Sequence, residues 1–182
     1  MTSTGNRATG SARRARGLIL RGVGAGTVGT LAMDILLYRR YRHAGGKDPF
    51  AGWESSEGLK TWDGAPAPAL VAKRLLEGVL HDEVSPRYAR GLNNAMHWGF
   101  GLANGAGYGL LLGSRQPKVW WGLPFGAAVW LSGYAVLPVL GVYKPIWEYD
   151  RETLAGDLRA HCAFGTATAA AFAVLAQRQV HT

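Results

Sequence analysis

The sequence predicts an all-α membrane protein, a polytopic bundle of four transmembrane helices with one amphipathic connecting helix. Four apolar stretches are long enough for helices that cross a bilayer, which takes about 20 residues. They cover residues 18–38, 92–113, 119–142 and 154–176. Many of the 26 glycines fall inside these stretches, where a helix in water would avoid them and a membrane helix accepts them.

The length of the chain is that of one domain, and its positive charges are placed as in a membrane protein. The chain has 182 residues and a formal charge of +8, and its arginines flank the first apolar stretch at 13–16 and 39–42. Arginines in this position are typical of membrane-flanking charge, so we expect a lipid bilayer and no nucleic acid as partner. We predict a disordered basic tail over residues 1–12 and a single membrane domain over 13–178. The one cysteine, Cys162, excludes an intrachain disulfide.

The first stretch begins like a signal peptide, with basic residues before an apolar run. Arg21 and Asp34 interrupt that run, and no small-x-small cleavage site follows before Tyr38, so we interpret it as a span. Its aliphatic side chains each favour insertion by roughly 0.3–0.6 kcal/mol, and Asp34 opposes it by about 2.5–3.5 kcal/mol at mid-membrane. We therefore expect this helix to need partners. Gly22 and Gly26 are four apart, which suits close helix contact.

Residues 39–90 form a polar connection that contains one amphipathic helix. Pro66 and Pro68 precede residues 69–80, where apolar side chains recur at helical spacing. This segment is too short to span. It lies on the membrane surface or packs on the rest of the protein, and the sequence leaves both open.

The remaining spans have recognisable ends. Ser85 and Pro86 are a helix-start signature before the second span, and Asp150 caps the fourth. Aromatic residues mark both ends of the third span. They are Trp120, Trp121, Tyr143, Trp147 and Tyr149. The short basic turn with Arg115 and Lys118 favours a cytoplasmic N-terminus in a multi-pass protein of the plasma (inner) membrane.

Small residues recur along three of the spans, which permits close packing and homo-oligomers through glycine-rich faces. In the second span the series is Gly101, Gly105 and Gly109, and in the third it is Gly122, Gly126 and Gly133.

Polar residues inside three spans are predicted to converge on one side of the membrane. With alternating spans, the end of the first and third and the start of the second and fourth lie on the side of residues 39–90. Lipid-facing polar stripes would be penalised, so these residues are expected to face the bundle interior. The predicted intramembrane cluster consists of Asp34, Asn93, Asn94, His97, Asp157 and His161.

Three uses of this cluster compete. Hydrogen bonds between helices are the commonplace one, and Asp–His chains that handle protons or ions are the second. A metal site made by His97, His161, Asp34 and Asp157 is the weaker third, because no HExxH or cysteine cluster supports it. We assign no catalytic residue, no metal and no cofactor. We expect a non-enzymatic membrane protein whose cluster serves structure or a proton-linked stress response. The alternative is a small membrane enzyme or transporter.

Residues 90–176 carry motifs of a known family. His97-Trp98-Gly99-Phe100-Gly101 is followed by Ala106-Gly107-Tyr108, by Leu137-Pro138-Val139-Leu140-Gly141 and by an aspartate four before a histidine in the last span. This half of the chain resembles the YagU-type bacterial inner-membrane proteins. The resemblance implies a plasma-membrane location, no known cofactor and no established biochemical activity.

Overall fold

The computed structural model describes residues 3–115 and 118–177, and the described residues form helices without a strand. This confirms the all-α prediction. The described residues form six α-helices, which are α1 (Ser3–His43), α2 (Phe50–Glu54), α3 (Ala67–Leu80), α4 (Ala89–Leu112), α5 (Gly122–Val136) and α6 (Arg151–Gln177). Short 3₁₀ turns lie between α3 and α4, between α4 and α5, and between α5 and α6.

Two helices within the described ranges are long and apolar enough to cross a membrane. They are the part of α1 from Gly10 to His43 and the whole of α6. The helix α4 has 24 residues but carries Asn93, Asn94 and His97, which lower its hydropathy. The helix α5 is strongly apolar but has 15 residues, about 22 Å of helix.

The third predicted span was expected to reach residue 142, and its helix ends at Val136. Pro138 has no N–H with which to continue the helical hydrogen bonds. Gly141 then adopts a φ of 65°, and the N–H of Val142 turns back to the carbonyl of Leu137. The apolar residues continue past this point, whereas the helical hydrogen bonds between residues four apart do not.

The backbone is helical from Ser3 onward, where the sequence predicts a disordered tail over residues 1–12. Residues 1 and 2 lie outside the described residues. Extending an existing helix is far easier than nucleating one, and alanine and arginine are good helix formers. Such residues follow from Arg7 to Arg16, so α1 continues beyond the apolar stretch.

The helix α1 is central, since it packs against both α4 and α6, while α5 packs against α6 and α3 against α4. The buried core contains Ala25, Tyr108, Ala169 and Phe172. The amphipathic α3 buries Ala69 and Ala72 and exposes Leu75, Val79 and Leu80.

Glycines allow the helix backbones to approach closely. A Cβ atom at Gly105 of α4 would collide with the carbonyl oxygen of Gly22 and lie 2.6 Å from Cα of Gly26. A Cβ at Gly126 of α5 would collide with the carbonyl oxygen of His161. The glycines predicted to permit self-association therefore pack within the chain, and homo-oligomer formation stays a prediction. Gly133 is different, because a Cβ there would meet nothing within 4 Å.

Candidate functional site

An aspartate–histidine pair joins α1 to α4. Nε2 of His97 lies 3.0 Å from Oδ1 and 3.1 Å from Oδ2 of Asp34, and donates a hydrogen bond to the carboxylate. Asp34 is 1% exposed. One turn earlier on α1, Thr30 lies against Gly101 of α4. The close approach of the two helices at their glycines is what allows this short carboxylate–imidazole contact.

Glu54, the last residue of α2, completes a three-residue group with the pair. Single ligand atoms from Asp34, Glu54 and His97 all lie within 4.8 Å of one another. Oε1 of Glu54 is buried without a hydrogen-bond partner among the described residues. Burial and, next, the carboxylate of Asp34 raise the pKa of Glu54, whereas His97 and a hydrogen bond from the side chain of Trp98 oppose this rise. Two carboxylates and one imidazole therefore lie close together.

Aromatic packing holds α2 on the end of α1. The ring of Tyr38 lies 5.2 Å from that of Phe50 and 5.4 Å from that of Trp53, measured between centroids. The hydroxyl of Tyr41 donates to Oδ2 of Asp48 at 2.6 Å. These contacts hold α2 against the end of α1, which brings Glu54 close to Asp34.

Polar side chains of α4 hold the turn that follows Glu54. Nδ2 of Asn93 donates to Oγ of Ser56 at 2.7 Å, and Nδ2 of Asn94 donates to the carbonyl of Ser55 at 2.9 Å. Nε of Arg90 donates to the same carbonyl at 2.9 Å. Ser56 has a φ of 52°, so this turn is bent into the left-handed region. Asn93 and Asn94 thus belong to the site by positioning Glu54.

Asp157 and His161 have partners of their own. The hydroxyl of Tyr134 donates to Oδ2 of Asp157 at 2.7 Å, and Nη1 of Arg40 lies 3.8 Å from Oδ1. Nδ1 of His161 donates to the backbone carbonyl of Asp157 at 2.8 Å. Hydrogen bonds therefore join the four predicted residues as two separate pairs, and the group with ligand spacing contains neither Asp157 nor His161.

Sequence reasoning missed Glu54 because it lies in the polar connection, where an exposed carboxylate is unremarkable. One available signal that this segment packs on the helices was the neighbouring Trp53, in a segment rich in aromatic residues. This connection was also predicted to lie on the same membrane side as Asp34 and His97. Its turn is fixed by residues about 35 positions away along the chain, and such contacts have no local sequence pattern.

The group has the composition and spacing of a divalent-metal site. Two carboxylates and one imidazole are ligands that zinc, iron and manganese accept. Ligand atoms of the three residues lie within 4.8 Å of one another, and a bound ion would replace the proton that now joins Nε2 of His97 to Asp34. Three protein ligands leave coordination positions for water.

Comparison with protein-family models, with curated proteins and with solved structures finds no match to this chain. The resemblance of residues 90–176 to the YagU-type proteins stays a prediction.

Proposed function

We propose that this protein is an integral membrane protein that binds one divalent transition-metal ion between Asp34, Glu54 and His97. The observation that carries the proposal is that ligand atoms of these three residues lie within 4.8 Å of one another. The ligand types indicate which metal ion binds. A set of carboxylate and imidazole ligands favours zinc, iron or manganese over calcium or magnesium.

The distribution of polarity supports a membrane location. Buried positions include Thr30, Asp34, Asn93 and Thr168, whereas large aliphatic side chains lie on the outside of α1, α4, α5 and α6. Soluble proteins seldom bury a carboxylate, and they rarely expose large aliphatic side chains along the whole length of several helices. Exposed aliphatic residues include Leu20, Ile35, Leu111, Leu131 and Val174. We propose that α1, α4, α5 and α6 all cross the plasma membrane, with the N-terminus in the cytoplasm.

Glu54 makes metal binding a better account than structural hydrogen bonds alone. An Asp34–His97 bond that merely joins two helices would contribute about 0.6 kcal/mol, and it explains two of the three residues. It leaves the buried oxygen of Glu54 unsatisfied, beside a second carboxylate. A divalent cation would neutralise both carboxylates and bind the unpaired oxygen, with His97 as a neutral ligand.

Metal titration of the purified protein tests the proposal. The chain is extracted in a neutral detergent, stripped with a chelator and titrated with Zn²⁺, Mn²⁺ or Co²⁺ while bound metal is counted. We expect one ion per chain, and affinity at least about tenfold lower in Glu54→Gln and His97→Ala. The exposed Glu57, also in the connection, provides the control Glu57→Gln, which should bind as the wild type does.

Thermal unfolding of the same variants separates binding from folding. Glu54→Gln removes a charge next to Asp34, so the metal-free protein should unfold at the wild-type temperature or above. Stoichiometry far below one ion, or wild-type affinity in Glu54→Gln, would overturn the proposal. A metal-free protein that loses stability in His97→Ala but never binds metal would instead support a purely structural pair.

A further inference from the structure

A basic groove lies at the opposite end of α1 from Glu54. It encloses about 570 Å³ between the start of the apolar part of α1 and the end of α4. Arg21 and Asp34 are about 20 Å apart along the helix axis, so the groove and the candidate metal site are separate. The groove is lined by Gly10, Arg13, Arg14, Gly17, Leu18, Arg21, Gly113 and Ser114.

The spacing of residues on α1 shapes this groove. Gly10, Arg14, Gly17 and Arg21 follow each other at intervals of four, three and four, which places them on one helix face. A Cβ at Gly10 would meet nothing within 4 Å, and one at Gly17 would lie 3.8 Å from Nη2 of Arg21. The two glycines therefore leave a hollow, and the guanidinium of Arg21 extends along it.

The positive charge of the groove is uncompensated within the described residues. No carboxylate there lies within ion-pair distance of Arg13, Arg14 or Arg21, since the three ion pairs of the described chain are elsewhere. The sequence has no acidic residue before Asp34. Three guanidinium groups around one hollow favour an anion with several oxygen atoms, such as a phosphate, which arginine can bind through paired hydrogen bonds.

Exposed leucines lie at the same level of α1 and α4 as the groove. Leu20, between the groove residues Gly17 and Arg21 in sequence, is 61% exposed, and Leu111 near the end of α4 is 70% exposed. A free anion would make no use of these side chains, whereas an amphiphile would place its head group on the arginines and its chains along the leucines. We infer that the groove binds the phosphate of an anionic phospholipid. This inference depends on the membrane location proposed above but not on the metal.

Lipid binding by the full chain tests the inference. The protein is purified in a neutral detergent, and its binding to phosphatidylglycerol, phosphatidylcholine and inorganic phosphate is measured by native mass spectrometry and thermal shift. We expect preferential binding and stabilisation by phosphatidylglycerol. In the double variant Arg14→Gln with Arg21→Gln, affinity should fall about thirtyfold, since each arginine near an anionic lipid contributes roughly one factor of five.

A double variant outside the groove provides the control. Arg16→Gln with Arg39→Gln removes the same charge and changes no residue that lines the groove, so it should retain phosphatidylglycerol binding within about twofold. Equal losses in the two double variants, or equal binding of phosphatidylcholine, would overturn the inference. Full stabilisation by inorganic phosphate alone would assign the groove to a free anion and overturn the lipid. If the chain is embedded in the membrane and binds metal but shows no lipid preference, the lipid inference is wrong and the proposed function stands.

Discussion

At the scale of single residues, Glu54 converts an aspartate–histidine pair into a group that can bind a metal. Asp34 and His97 were predictable as functional candidates, because an ionisable group within an apolar helix is costly and conspicuous. Glu54 was not, because its place depends on a five-residue helix and on hydrogen bonds from α4. Local polarity shows which residues are unusual, but not which distant residue completes the site.

Asn93 is expected to support the proposed metal site without itself binding the metal ion. In Asn93→Ala the hydrogen bond to Ser56 is lost, so the turn after Glu54 is less restrained. We predict that metal affinity falls by up to about tenfold, the lower end of the effect of removing a direct partner of a metal ligand, because Asn94 and Arg90 still bond to Ser55. The measurement is the metal titration described above.

Asn104 offers the matched control on the same helix, because its amide donates to the carbonyl of Phe100 one turn earlier. Asn104→Ala should leave the affinity unchanged. Wild-type affinity in Asn93→Ala would show that the turn does not position Glu54.

Asp150 gives α6 a pH-dependent cap. The N–H of Thr153 donates to Oδ1 of Asp150 at 2.8 Å, and its hydroxyl donates to Oδ2 at 2.7 Å. These bonds lower the pKa of Asp150 below its ordinary value of 3.8. A lowered pKa means that the charged form stabilises the folded state above the ordinary value, and that this contribution is lost as pH falls through the folded pKa.

Thermal unfolding of the wild type and Asp150→Asn, which keeps a hydrogen-bonding side chain without the charge, should therefore differ near neutral pH. The difference should shrink as pH falls below the ordinary aspartate range. The exposed Asp63 supplies the control Asp63→Asn. A difference between wild type and Asp150→Asn that does not change with pH would contradict this assignment.

At the scale of elements, hydropathy located the helices but not all of their ends. The predicted spans 92–113 and 154–176 agree closely with α4 and α6. The helix of the third predicted span, α5, ends early, before a proline and a left-handed glycine. The helix α1 begins before residue 18, in a segment that is rich in arginine. Helix ends are set by backbone hydrogen bonds and caps, which a hydropathy average does not register.

Two glycines of α4 should differ in whether they tolerate an added methyl group, because only one of them contacts α1. A Cβ at Gly105 would collide with α1, whereas one at Gly107 would meet nothing within 4 Å. We predict that Gly105→Ala destabilises the protein by about 1–3 kcal/mol, as overpacking typically does. Gly107→Ala should be neutral or slightly stabilising. Unfolding of both variants in the same detergent measures this, and equal stabilities would contradict the close packing.

Sequence spacing predicted part of this interface. Gly101, Gly105 and Gly109 are four apart, and a Cβ at each would be crowded by α1 or α6, as predicted for a packing face. The same reasoning grouped Gly133 with Gly122 and Gly126, but Gly133 has open space around it. Spacing identifies residues that share a helix face, but it does not show where the neighbouring helix ends its contact.

At the scale of the whole molecule, the all-α class was predictable because long apolar stretches have few other folds open to them in lipid. The number of membrane crossings is less determined. Two of the described helices satisfy length and hydropathy together, while α4 is polar at one end and α5 is short. Four crossings would place the segment after α4 on the opposite side from the connection before it, and two would not.

Cysteine accessibility tests the number of crossings. In a Cys162→Ala background, single cysteines at Asp63 and Ser114 are treated in intact cells with a membrane-impermeant maleimide. Four crossings with a cytoplasmic N-terminus predict that Asp63→Cys reacts in intact cells and that Ser114→Cys reacts only after lysis. If only α1 and α6 crossed, both positions would react in intact cells.

Anomalous X-ray scattering from crystals loaded with Zn²⁺ or Mn²⁺ tests most directly whether Asp34, Glu54 and His97 bind one metal ion together. We expect one anomalous peak about 2.0–2.2 Å from a carboxylate oxygen of Asp34, a carboxylate oxygen of Glu54 and Nε2 of His97. A loaded crystal with no peak there, or with its peak beside Asp157 and His161, would contradict it.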